Sequence, residues 1–75
     1  MKLDRISIDP AVCLGQPAIR GVRITVSIVL RLLGAGKSPQ EILEAYPELE
    51  MEDVRQSMQY AAWVVSEQTR LAPGA

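Results

Sequence analysis

The positions of proline and glycine constrain this chain more than any other feature. Asp9-Pro10, Gly15, Pro17 and Gly21 fall within the first 25 residues, turn chemistry too dense for a helix. Gly34 and Gly36, then Pro39, then Pro47 mark off further segments, and Pro73-Gly74 stands near the last residue. The sequence between these breaks predicts an extended arm followed by three helices. Within the arm, Arg5-Ile6-Ser7-Ile8 alternates polar and apolar with a period of two, and Ile19 to Ile24 can supply a partner strand around Arg20-Gly21. A short β-hairpin is the expectation for residues 1–25.

Helix 1 is predicted over 26–35. Val26 to Leu33 is apolar almost all round, Thr25 can cap its start, and Gly34 and Gly36 supply its stop. Ser38-Pro39-Gln40-Glu41 is the clearest local signal: a serine at N-cap, proline at the first helical position and glutamate completing a capping box. Helix 2 is therefore placed at 39–46, cut short by Pro47, with Ile42, Leu43 and Tyr46 turned inward. Helix 3 is placed at 51–70, where Glu50, Glu52 and Asp53 suit the positive end of the helix dipole. On it Val54, Met58, Ala61 and Val65 form the expected core stripe, while Trp63 and Tyr60 lie off that stripe and suit contact with a second copy. The fold class expected is mainly α: a three-helix, helix-turn-helix-like bundle preceded by an extended arm, one domain over 1–71 with a frayed tail at 72–75.

Composition limits the chemistry. With 75 residues the chain has room for one core, and self-association is a reasonable way to support it. Histidine is absent, which removes imidazole-based triads and histidine-liganded zinc. Cys13 has no cysteine to pair with and no histidine to activate it, so it reads as a small packing residue in a reducing, cytoplasmic setting. No apolar run approaches the roughly 18 residues of a membrane span. No catalytic residue, metal ligand or cofactor site emerges, and an enzyme is the least supported class.

The formal charge of -1 conceals an imbalance. Residues 1–37 carry Lys2, Arg5, Arg20, Arg23, Arg31 and Lys37 against Asp4 and Asp9, whereas residues 38–75 carry Arg55 and Arg70 against seven acids. Lys2, Arg5, Arg20 and Arg23 are thus the arm's candidates for phosphate contact, and Arg55, Gln56 and Gln59 are the residues of helix 3 suited to base edges. Arg20-Gly21-Val22-Arg23 sets two guanidinium groups around a glycine, suited either to gripping phosphate or a carboxylate cluster or to pairing with acids of helices 2 and 3. Glu48, Glu50, Glu52 and Asp53 would repel DNA at the start of helix 3. They are candidates for answering the positive surface of an RNA-cleaving partner, with helix capping as the alternative.

Asp9-Pro10, Gly15-Gln16-Pro17-Ala18-Ile19-Arg20-Gly21-Val22-Arg23-Ile24 and Val26 resemble the signature of the bacterial domain-of-unknown-function family 433. The likeness continues through Gly36-Lys37-Ser38-Pro39-Gln40-Glu41-Ile42-Leu43, Tyr46-Pro47, Leu49, Glu52-Asp53-Val54 and Tyr60-Ala61, spanning Ile8 to Ala61. The sequence departs from the usual form at Leu14, Gln16, Val22 and Thr25; the lysine lost at Gln16 takes one positive charge from the arm. The resemblance implies the antitoxin half of a toxin–antitoxin pair, beside a PIN-like ribonuclease toxin. The expected protein is a homodimer that binds and neutralises that toxin and represses its own operon through operator DNA. A stand-alone DNA-binding regulator and a dimeric protein-interaction module without a nucleic-acid ligand are the alternatives.

Overall fold

The computed structural model describes residues 3–9, 11 and 15–70, the side chains of 68–70 excepted. Lys2, Cys13 and the tail 72–75 therefore lie outside the described residues. Strand β1 (Ile6–Ser7) pairs antiparallel with β2 (Ala18–Ile19), Ile6 opposite Ile19. The partner strand is shorter than Ile19 to Ile24. Residues 20–23 instead form a tight turn in which the Ile19 N–H donates to the Ile24 carbonyl at 2.8 Å, returning Thr25 to a bridge with Ala18. Gly21 makes this possible with φ +86°, a conformation that costs any residue with a Cβ.

Helix α1 spans Val26–Gly34, one residue shorter than predicted, and Thr25 Oγ1 accepts from the Ile28 N–H at 3.2 Å. Gly36, at φ +93°, follows. Helix α2, Pro39–Ala45, begins with the full capping box: Ser38 Oγ accepts from the Glu41 N–H, and Glu41 Oε1 accepts from the Ser38 N–H at 2.8 Å. The backbone bond holds the Glu41 carboxyl below its ordinary pKa, with the serine hydroxyl and Lys37 adding to it. Tyr46 stands just past the last helical residue rather than within it. Helix α3, Met51–Arg70, has its predicted bounds.

The core joins the arm to all three helices: Ile6, Ile19, Ile24, Val26, Val29, Ile42, Leu49 and Val54, with half-buried Leu43 and Tyr46 packed against it. The expected inward stripe of α3 is corrected. Val54 is fully buried, but Met58 and Val65 are exposed, at 43% and 59%, and Ala61 is only half-buried. The buried face consists of Asp53, Val54, Gln56 and Ser57, mostly polar side chains. Burial of that kind is tolerable because each polar group is hydrogen-bonded; Ser57 Oγ, for instance, donates to the Asp53 carbonyl at 2.8 Å. Among the described residues Tyr60 is the last of α3 that packs against the core; the helix continues to Arg70, and the molecule measures 43 × 31 × 21 Å.

Candidate functional site

Three groups of side chains stand out, and they divide the residues expected to act together. The first is a polar clamp between the arm and the start of α3. Arg5 Nη1 donates to Glu50 Oε1 and, at 3.1 Å, to Asp53 Oδ1. Those two bonds, to Glu50 and then to Asp53, raise the Arg5 pKa. Asp53 Oδ2 accepts from the Glu50 N–H at 2.7 Å, capping the helix. Gln56 Oε1 accepts from the Arg5 backbone N–H at 2.9 Å, while its Nε2 donates to Asp4 Oδ1 at 2.8 Å and to Glu52 Oε2 at 2.9 Å. Arg55 donates to Glu52 through both Nε and Nη2. These bonds from Arg55, with the one from Gln56, pull the Glu52 carboxyl down to about 2.

This clamp corrects several expectations. Gln56, only 2% exposed with its amide fully engaged, is not presented to base edges; Arg55 keeps an exposed position on α3, paired with Glu52 of its own helix. Asp53, 4% exposed, is a capping and pairing residue rather than a surface for a partner. Arg5 is committed to Glu50 and Asp53, so the pairing of arm arginines with helix acids occurs here and not through Arg20 or Arg23. Of the remaining candidates, Glu48 is exposed, and Gln59 is half-buried. The residues missing from the sequence-level candidates are Asp4 and Ser57. Their partners include residues no local pattern reveals, Asp4 and Gln56 being 52 positions apart.

The second group is the turn after β2. Arg20 and Arg23 are exposed and, among the described residues, take no ion-pair partner. Together with Ser7, Asp9 and Gly21 they line an open depression of about 410 Å³. Asp9 Oδ1 is engaged with the Ala11 N–H at 2.9 Å.

The third group lies along α3. Met51, Met58 and Val65 recur every seven residues, so they share one side of the helix, and all three are exposed. Trp63, 49% exposed, lies about 140–160° around the helix from Met58 and Val65. Its ring meets Tyr60 at a centroid distance of 6.1 Å. Tyr60, placed off the core stripe by the sequence, in fact packs against the protomer's core while its ring also meets Trp63. Among the described residues no cluster of three metal-ligating side chains exists, and no helix is long and apolar enough to cross a membrane.

A two-stranded arm feeding three helices, the second short and the third long, defines a small, mainly helical domain with helix-turn-helix-like order. The chain belongs to the family described as protein of unknown function (DUF433), whose model matches residues 6–61. It is 36% identical over 56 residues to the uncharacterized protein y4eO of Sinorhizobium fredii (strain NBRC 101917 / NGR234), a match covering 75% of this chain and 25% of that protein. The crystal structure of a DUF433 member from Anabaena variabilis ATCC 29413 is similar at a TM-score of 0.77 and 33% identity, over 88% of this chain and 65% of that one. The chain thus spans a quarter of the first relative's length and just under two thirds of the second's.

Proposed function

We propose that this chain is a binding protein of the antitoxin type, acting in the cytoplasm without catalysis or cofactor. It pairs with a second copy of itself, neutralises a PIN-like ribonuclease by direct contact and represses its own operon. The observation that carries this reading is the exposed apolar surface of α3 beyond Tyr60. Ala61 and Val64 are half-buried there, but Ala62, Trp63 and Val65 are exposed, and half-exposed Trp63 alone leaves about 100 Å² in water. An isolated domain gains nothing from such a surface, whereas a protein built to be held by others does. Two apolar sides also suit two occupants: the Trp63 side for a second copy, the Met51, Met58 and Val65 side for the nuclease. The acids at the start of α3 contribute less than their number suggests, because Glu50, Glu52 and Asp53 already answer Arg5 and Arg55.

The test is co-expression with a PIN-like nuclease from the adjacent reading frame. Growth arrest by that nuclease should be relieved by the wild-type chain and not by Met58→Asp with Val65→Asp. Light scattering at tens of micromolar should show a dimer that Trp63→Asp converts to a monomer. Absence of such a nuclease beside the gene, or arrest that persists with the wild-type chain, refutes the antitoxin reading; a wild-type monomer refutes the pairing.

A further inference from the structure

We infer that the Arg20–Arg23 turn is a phosphodiester-binding site through which the chain holds the backbone of duplex nucleic acid. The inference takes the source of its ligand, operator DNA, from the function proposed above, and its site from the geometry of the turn.

Six positive side chains are described: Arg5, Arg20, Arg23, Arg31, Lys37 and Arg55. Arg5 and Arg55 are bound to acids of α3. Arg31 lies in the last turn of α1, where a cation offsets the negative end of the helix dipole. Lys37 lines a different depression, shared with Glu41 and Glu44. Among the described side chains that leaves Arg20 and Arg23, which line the same depression from two backbone positions without an ion-pair partner there.

Their support is rigid. The Arg20 N–H donates to the Arg5 carbonyl at 2.7 Å and the Val22 N–H to the Ile19 carbonyl at 3.3 Å, while Ile19 and Ile24 on either side of the turn are buried. The guanidinium groups therefore project from an anchored turn rather than a loose loop. Apart from its two chain neighbours, no residue comes within 4 Å of where a Gly21 Cβ would stand, so no other part of the chain fills the space beside the turn.

The chemistry of the depression selects the ligand. Two guanidinium groups and the single carboxylate of Asp9 leave a net charge of +1, matched to an anion carrying one charge. A phosphodiester carries one charge on tetrahedral oxygens, which accept from donors arriving along two directions. A carboxylate can also accept from two arginines, but its acceptor sites lie near one plane, whereas Arg20 and Arg23 reach the depression from two separate backbone positions. Ser7 lines the same depression, and a serine hydroxyl there is a neutral donor to phosphate oxygen.

The test is fluorescence anisotropy of full-length protein on two labelled duplexes, the gene's own upstream region and a scrambled version, across a salt series. Arg20→Ala with Arg23→Ala should weaken binding about tenfold on both duplexes. It should also flatten the dependence of log K on log salt by about 0.9 per bound protomer. Arg20→Lys with Arg23→Lys should restore the salt slope while recovering only part of the affinity, because charge is retained and the fork is lost. Arg31→Ala with Lys37→Ala removes the same charge elsewhere and should leave both quantities near wild type. Circular dichroism of each variant checks the fold. The inference is overturned if the Arg20/Arg23 variant binds as wild type does, if the Arg31/Lys37 variant is equally impaired, or if the wild-type chain binds neither duplex. Relief of nuclease-induced arrest, measured on the same variants, keeps the two readings apart. It should persist in the Arg20/Arg23 variant; its loss there with DNA binding intact makes the turn a protein contact and overturns the phosphate site, leaving the antitoxin reading standing.

Discussion

Replacing Gln56 by alanine should loosen the arm from α3 and destabilise the whole domain. The side chain is 2% exposed and makes three hydrogen bonds, to the Arg5 backbone, Asp4 and Glu52. At about 1 kcal/mol net for each, their loss amounts to about 3 kcal/mol. Glu52 keeps Arg55 as a partner, which lowers the expectation to about 2 kcal/mol. For a domain of this size that is a fall in Tm of about 8–16 °C, or in the urea midpoint of about 2 M with the slope unchanged. Urea unfolding followed by far-ultraviolet circular dichroism at one protein concentration measures it. Gln59→Ala, at a half-buried site for which no hydrogen bond is seen among the described residues, is the comparison and should stay within about 0.5 kcal/mol of wild type. A Gln56→Glu variant sharpens the test, because it sets a carboxyl 2.8 Å from Asp4 Oδ1 and 2.9 Å from Glu52 Oε2. Repulsion raises the pKa of that new group in the folded state, so its penalty should be largest at neutral pH and shrink as the solution is acidified. If Gln56→Ala and Gln59→Ala are equally stable, Gln56 is a surface residue and the clamp is refuted.

Three further outcomes follow from local geometry. Ser38→Ala removes one half of the α2 capping box and should cost about 1 kcal/mol, a Tm decrease of about 4–8 °C; no change would mean the cap is redundant. Gly21→Ala should destabilise by about 1 kcal/mol through its φ of +86° alone, since nothing crowds the added methyl, whereas Gly34→Ala at the end of α1 should be neutral or stabilising. Equal effects at the two glycines would contradict that reasoning. Glu52 has its carboxyl lowered from 4.5 to about 2, so the folded state binds fewer protons than the unfolded chain between those values. Its contribution is present above pH 4.5 and is lost as the pH falls toward about 2; urea midpoints across that range should decline, and less steeply in Arg55→Ala.

Ser38, Pro39 and Glu41 determined the start of α2, Thr25 that of α1, and Pro47 the end of α2, because caps and breaks act over three or four residues that are adjacent in the chain. The antiparallel arm was legible for the same reason, although its second strand closed into a turn sooner than alternation alone suggested. Trp63 was correctly placed away from the core by its angle on the helix. The buried face of α3 could not be read in that way. Apolar residues surround this helix on more than one side, so periodicity marks several faces as plausible and chooses the one with Met58 and Val65. Tertiary structure decided for the face with Asp53, Gln56 and Ser57, because Asp4 and Arg5, 48 to 52 residues away from Asp53 and Gln56, arrive to satisfy those polar groups. A polar side chain is buried only when its partners are present, and partners so distant in sequence become neighbours only once the arm has folded against the helix.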